Sequence, residues 1–418
     1  MSKENHDWRP GEPAPFIRAH SQVKHRILDE YLQRYVATLT ANPRRPQLRL
    51  TVVDGFAGGG CYRDEITHEF RPGSPLITLA AMKSASIAAQ NSRTNGFNLD
   101  VEYFFVEKKR AAFEYLTSTL RDSEFRDCVG GRVHLLRGKV ESSIDRIIAR
   151  VKQRGGGERA IFIFDQFGYV DAPFPMIRKV LTQLSNAEVI LTFATDFLID
   201  YLSTRPESQK SLGKTGIELS AETIEAHKQQ SHWRWLIQRD LHHEIQRNSG
   251  AEHYTPFFIR SKDAHRDFWL IHLSGHARAR DVMVGLHWKE NNSFAHYGRP
   301  GLNMLGYDQD RDSKLTGISQ LPIFRFDGGA REECKSALVD ELPKRIADNY
   351  QGGLLFNDFF AAITNETPAT SEIMKDALRQ LAKEGIVEIL DKGGKKKRRI
   401  TSGSDTLRYS RQKRLFLP

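Results

Sequence analysis

The chain has 418 residues, 39% of them hydrophobic, with 62 Lys and Arg against 52 Asp and Glu and three cysteines. It is long enough for about two to three domains with real cores, and Cys61, Cys128 and Cys334 are spaced neither for a zinc site nor for a disulfide framework, which points to a reducing cytoplasm. No stretch approaches the roughly 18 apolar residues of a membrane span, and the polar start MSKENHDWRPGEPAPF lacks the apolar centre of a signal peptide, so a soluble, unexported protein is expected.

Residues 22–39 read as an amphipathic helix, with Val23, Ile27, Leu28, Tyr31, Leu32, Tyr35 and Val36 near helical spacing. Lys24 and His25 sit on it, and a cation there can meet a cofactor carboxylate. Residues 48–53 are apolar and β-branched, as a buried strand requires, and they stop in the loop Asp54-Gly55-Phe56-Ala57-Gly58-Gly59-Gly60. Glycines there remove the Cβ atoms that would hold a ligand off the main chain, so Asp54, Phe56, Ala57, Gly58 and Gly60 are candidate cofactor contacts. The polar segment 61–75, with Arg63, Asp64 and Arg71, reads as an insertion beside the loop, a lid or an edge, ahead of a helix at 76–85. A second strand, 101–106, ends in Glu107, where a mononucleotide-type α/β fold holds ribose hydroxyls with a carboxylate. Its distance from the loop exceeds the roughly 20 residues of a plain dinucleotide unit, and the insertion accounts for the excess.

After a helix at 111–120, a third strand at 133–136 ends in Arg137-Gly138-Lys139, and Lys139 is a candidate neighbour of the cofactor. The clearest strand is Ala160-Ile161-Phe162-Ile163-Phe164, a continuous apolar run of the kind a sheet covered on both faces needs. It stops at Asp165-Gln166-Phe167-Gly168, which puts Asp165 in the crevice where open α/β sheets bind ligands. A planar base or amine can be gripped there by hydrogen bonds to Asp165 and stacking on Phe167; capping of the next helix is the plainer role for the acid. A fifth strand at 188–194 follows, then a polar, helical insertion at 204–250 whose His242-His243 pair lacks metal spacing. Strands at 255–260 and 268–274 form an antiparallel hairpin on the sheet's edge, followed by a helix at 276–289.

From Glu332 the texture becomes that of a small helical module. Thr370 caps a helix running to Glu384, with Met374, Ala377, Leu378 and Leu381 inward and Gly385 as the stop. A hairpin follows at 386–390 and 395–400, and helices followed by a basic hairpin make a winged-helix pattern. Between Lys392 and Arg414 ten Lys and Arg face one acid, Asp405. Lys375, Arg379 and Lys383 on the helix and Lys395, Lys396, Lys397, Arg398 and Arg399 on the wing are candidate nucleic-acid contacts, helix in a groove and wing on phosphates. A solvated basic tail is the alternative.

The loop Asp54, Phe56, Ala57, Gly58, Gly60 resembles the cofactor loop of S-adenosylmethionine-dependent amino-methyltransferases of nucleic acids, Glu107 resembles their ribose-binding acid, and Asp165 to Gly168 stands where they carry D-P-P-Y. Gln166, Phe167 and Gly168 depart from that motif. Nearly the whole chain is similar to the bacterial three-Cys-motif partner (TcmP) family, through Lys24-His25 with Ile27-Leu28 and Tyr31-Leu32, the loop 54–58 with Tyr62, Gly73-Ser74-Pro75-Leu76, Glu107, and Phe164-Asp165 with Phe167-Gly168. The resemblance implies an α/β Rossmann-like methyltransferase sheet, mostly parallel with an antiparallel edge hairpin, at 1–300 with the helical insertion at 204–250; a connection at 301–331; and a winged-helix-like module with a basic tail at 332–418. It also implies S-adenosylmethionine as cofactor and a three-Cys-motif protein as partner; the three crevice motifs together with the basic module make nucleic acid the expected substrate, and hydropathy and residue spacing give no membrane span and no metal site as expectations. A catalytically silent adaptor or sensor on the same fold is the alternative.

Overall fold

The computed structural model describes residues 7–410 except 167, 195–197, 200, 201, 231, 232, 261–266, 291–293, 298, 299, 303 and 305–322. The chain forms two units, residues 1–275 and 276–418.

The first unit is built on a seven-stranded sheet. Its parallel strands are β1 (Gln47–Asp54), β4 (Asn98–Glu107), β5 (Val133–Arg137), β6 (Arg159–Asp165) and β7 (Asn186–Phe193), and β8 (His253–Arg260) and β9 (Asp267–Ser274) form an antiparallel hairpin beside β7. The spatial order is β8-β9-β7-β6-β1-β4-β5, with β9 antiparallel to both neighbours. This is the expected Rossmann-like, mostly parallel sheet with an antiparallel hairpin. The apolar run of β6 is at its centre: Ala160, Ile161, Phe162, Ile163 and Phe164 are each at most 4% exposed, and each buried phenyl ring contributes roughly 2–3 kcal/mol. Chain order reverses between β1 and β6, so the crevice at their carboxyl ends is the topological switch point where such sheets bind ligands.

Helix α1 (Ala19–Leu39) packs on α2 (Ser74–Asn91). The segment read as a polar insertion contains a two-stranded ribbon, β2 (Cys61–Arg63) with β3 (Phe70–Pro72), and α2 starts two residues earlier than expected because Pro75 occupies its first turn, where a missing N–H costs nothing. The remaining helices of this unit include α3 (Arg110–Arg121), α4 (Val140–Arg154) and α5 (Phe174–Gln183); in the insertion α6 (Pro206–Thr215), α7 (Ala221–Lys228) and α8 (Trp233–Ser249) follow. His242 is buried against Tyr254, a core histidine whose pKa burial pulls down to about 3.

The second unit begins earlier than the expected boundary at 301. Helix α9 (Ala277–Glu290), read as part of the first domain, belongs to it: buried Arg280 donates to the Ala369 carbonyl at 2.7 Å and to that of Thr367, and Asp281 accepts from the Ser371 N–H and hydroxyl, both at 2.7 Å. Then come β10 (Phe294–Tyr297), β11 (Ile323–Arg325), α10 (Gly328–Asn349), β12 (Leu354–Leu355), α11 (Phe356–Ile363), α12 (Ser371–Lys383), β13 (Val387–Leu390), β14 (Lys396–Lys397) and β15 (Thr406–Tyr409). Thr370 caps α12 by accepting from the Ile373 N–H, and Met374, Ala377, Leu378 and Leu381 are fully buried, as the periodicity predicts. The hairpin is corrected: β13 pairs with β14 over only two residues, and its longer partner is β15, which makes residues 391–405 the wing.

Candidate functional site

The loop after β1 is shaped by hydrogen bonds to its backbone. Asp54, with no exposed surface, accepts from the Phe56 N–H at 3.0 Å and from the Ser74 hydroxyl at 2.5 Å. Burial raises its pKa to about 7, against the pull of those two hydrogen bonds, with Asp165 and Glu107 adding to the rise. Gly55 passes over Phe164, where a Cβ would lie 2.7 Å from the ring; Gly58 and Gly60 have φ of +59° and +82°, a left-handed region that suits glycine. Glu107, at the end of β4, accepts from the Gly58 N–H at 2.9 Å and the Lys109 N–H at 2.7 Å. The acid read as a ribose ligand therefore also ties the glycine loop to the next strand.

Asp165 faces this loop from β6. Lys24 on α1 donates to both its oxygens, at 2.5 and 2.7 Å, with the lysine side chain 12% and the aspartate 32% exposed. Burial alone would push the Asp165 carboxyl up, but the Lys24 ammonium and the Thr192 hydroxyl outweigh it and hold the pKa below the ordinary value. Asp165 is thus an ionised acceptor. Beside it, burial lowers His25 to about 4, with Lys24 acting in the same sense and Asp165 against it, so the ring is neutral near pH 7. Its ring lies 5.9 Å from that of Tyr62 on β2.

A cavity of about 290 Å³ brings these strand ends together, lined by Phe56, Gly58, Glu107, Lys139 and Asp165 among others. At its rim Gly138 has φ of +148° and open space where a Cβ would project. Not every predicted contact lies here. Asp54 and Ala57 are buried behind the loop, Ala57 bonded to the Val106 carbonyl, and a Cβ on Gly60 would meet Leu116 of α3 at 2.8 Å, so these residues support the site without lining it. Lys24 is engaged by Asp165 and is not a free partner for a cofactor carboxylate. Phe167 lies outside the described residues. The sequence reading missed Trp8, Arg18 and Ser21, which line the same cavity; the only available signal was an isolated tryptophan in the proline-containing segment 8–15. It also missed Ser74, whose place at a helix start reads as a cap although its hydroxyl serves Asp54. Among the described residues no group of three His, Cys, Asp or Glu is placed to hold a metal, and no helix is long and apolar enough to cross a membrane.

In the second unit the predicted cations divide. Lys397 donates to both oxygens of Asp405, itself 3% exposed, at 2.9 and 2.8 Å, which fixes the wing from inside. Lys396 pairs with Glu388 at 2.5 Å, Arg379 pairs with Asp376 at 3.0 Å, and Lys375 lies over the Phe356 ring at 5.2 Å. Lys383, Lys395, Arg398 and Arg399, with Lys392, are exposed and make no ion pair among the described residues.

The GMT-like wHTH domain, a family model, matches residues 306–394. No curated protein matches the chain. Among solved structures, the protein LPL1258 from Legionella pneumophila is 11% identical over 64% of this chain and 92% of that one, with a TM-score of 0.35. A SAM-dependent methyltransferase from Agrobacterium tumefaciens is 10% identical over 62% of this chain and 63% of that one at 0.31, and the METTL16 methyltransferase domain 11% identical over 58% and 66% at 0.28. This chain thus spans less than two thirds of the latter two. At these identities and scores the likeness bears on neither activity nor substrate.

Proposed function

We propose that the chain is an S-adenosylmethionine-dependent methyltransferase acting on nucleic acid, at a base amino group, and working with a partner protein of the three-Cys-motif kind. The observation that carries this reading is the convergence of an ionised Asp165 with Gly58, Glu107 and Lys139 on one cavity at the switch point of the sheet. The residues fit the cofactor: Glu107 keeps acceptor capacity for ribose hydroxyls beyond its two backbone donors, the open position at Gly138 leaves room for a planar ring, and Arg18 and Lys139 are exposed cations for a carboxylate. The cofactor supplies an electrophilic methyl group. The protein's part is positioning and exclusion of water. Asp165 accepts a hydrogen bond from the target amine and holds its proton, Lys24 keeps that carboxylate charged and in place, and Phe167 stacks the base. The free wing cations Lys395, Arg398 and Arg399 engage phosphates.

The silent adaptor is the second reading, and Gln166 favours it. This residue is 2% exposed and accepts from the N–H groups of Asp171 and Ala172, both at 3.0 Å, folding the segment after Asp165 back on itself. Calorimetric titration with S-adenosylmethionine and S-adenosylhomocysteine, followed by transfer of labelled methyl to single- and double-stranded DNA and RNA, decides between them. Binding with transfer supports the enzyme; binding without transfer to any nucleic acid, with or without the partner, makes the chain an adaptor; absence of binding removes the cofactor reading.

A further inference from the structure

We infer that Trp8 is a cofactor-contacting residue, the aromatic wall of the cavity, and that residues 7–17 form the strap that must lift for the cofactor to exchange. The inference rests on the adenosyl cofactor proposed above. A Cβ added at Gly58 would lie 2.7 Å from the Trp8 ring and one at Gly59 2.1 Å from it. Gly59 has no positive φ that calls for glycine, so its missing side chain makes room for the indole. The sequence suggested that these glycines admit a ligand to the backbone; on this face they admit a tryptophan.

The indole is held by its Nε1, which donates to the Cys61 carbonyl at 2.7 Å, and by an edge contact with Tyr62 at 5.2 Å between ring centroids. It lines the same cavity as Glu107 and Asp165. A broad apolar wall facing carboxylates suits a ligand that joins a planar base to a sulfonium cation, since aromatic faces attract both.

The strap is tied at its two ends. Asp7 accepts from Lys109 at 2.5 Å, and the Lys109 N–H in turn donates to Glu107. At the other end Ile17 donates to the Arg63 carbonyl at 2.8 Å, Arg63 donates through its backbone to Pro15 at 2.9 Å and through Nε to Ala14 at 2.8 Å, and its guanidinium lies 4.6 Å over the Phe16 ring. Between the ties, Pro10, Pro13 and Pro15 restrict the backbone, so the segment moves as a stiff piece. At the outer end the Asp7–Lys109 ion pair is solvent-exposed, with the two side chains 48% and 65% exposed, and such pairs contribute little.

The test is S-adenosylhomocysteine binding by calorimetry and by stopped-flow tryptophan fluorescence, with melting curves as the check on folding. Wild type is expected to bind with a change in emission that Trp8→Phe, keeping a ring at that wall, loses while still binding. Trp8→Ala should bind about tenfold more weakly by calorimetry. Asp7→Lys alters a side chain 48% exposed, leaves the core intact and should release the ligand faster. Wild-type affinity in Trp8→Ala together with wild-type affinity and release rate in Asp7→Lys would overturn the inference while leaving the cofactor reading intact. Absence of binding by wild type itself would instead sink the cofactor reading and this inference with it.

Discussion

The crevice of the first unit and the wing of the second are both charged, and they treat charge in opposite ways. In the crevice each carboxylate already has partners: Asp54 has a backbone N–H and Ser74, Glu107 two backbone N–H groups, and Asp165 the Lys24 ammonium. On the wing, Lys392, Lys395, Arg398 and Arg399 have none among the described residues, while the inward Lys397 is locked to Asp405. A reacting group must be held before substrate arrives, because reorganising it during the reaction raises the barrier. A surface that docks a polyanion works by releasing counterions and needs its cations free. That difference is what the proposed function requires of Asp165 as a positioned acceptor and of the outer wing as a docking surface.

The largest expected effect breaks the first half of that contrast. Asp165→Asn keeps an oxygen for Lys24 but no longer takes a proton, so methyl transfer should slow about 10²–10⁴-fold with cofactor affinity nearly unchanged. Its sharper companion is Lys24→Met. Burial, the largest influence on Asp165, is then opposed by less, the carboxyl moves up, and the acid limb of the pH–rate profile moves to higher pH. A profile identical to wild type would mean that Lys24 does not tune Asp165.

These charges were legible in the sequence to different degrees. Asp165 could be placed at the crevice because a short apolar run bounded by polar residues fits a central strand, and the carboxyl end of such a strand opens on the crevice. The winged module was found because Thr370, the inward positions of α12 and Gly385 are local signals. The partners were not. Lys24 and Asp165 are 141 residues apart, and nothing local says that the lysine's ammonium ends on that carboxylate. The same blindness misplaced Lys397, one of five consecutive cations, whose inward aim is decided by the pairing of β14 with β13, and hid Trp8, whose role needs the glycine loop folded beneath it. It also set the domain boundary too late, since α9 joins the second unit through Arg280 and Asp281, contacts of long sequence separation.

The next effect in size tests the other half. Replacing Lys395, Arg398 and Arg399 together by alanine should weaken nucleic-acid binding by about 10–100-fold at physiological salt and lower the salt slope by roughly three. Lys396→Ala, which removes a cation already paired with Glu388, should change that slope by less than about one. Filter or fluorescence binding at several salt concentrations measures both. Equal losses from free and paired cations would remove the distinction between docking and structural charge on the wing.

The smallest effect concerns the one crevice carboxylate that does not line the cavity. Raised by burial to about 7 from 3.8, Asp54 binds its proton more tightly folded than unfolded, so its contribution to stability is present at low pH and is lost as pH rises through about 7. His25 has the opposite sign: lowered to about 4 from 6.5, it contributes stability above about 6.5 that is lost as pH falls toward 4. Over the shared window the two slopes oppose, and the wild type should show a shallow curve. Asp54→Asn separates them. Its amide oxygen still accepts from the Phe56 N–H and its nitrogen can donate to the Ser74 hydroxyl, so the loop keeps its shape without burying a charge. Relative to wild type the variant should gain on the order of 1–3 kcal/mol near pH 8, the gain should shrink toward pH 4, and the remaining acid decline should be that of His25. Parallel melting-temperature curves for the two proteins would show that the Asp54 carboxylate is stabilised by its two hydrogen bonds to the same extent that burial disfavours it, and that the loop, like the rest of the crevice, holds its charge at no cost.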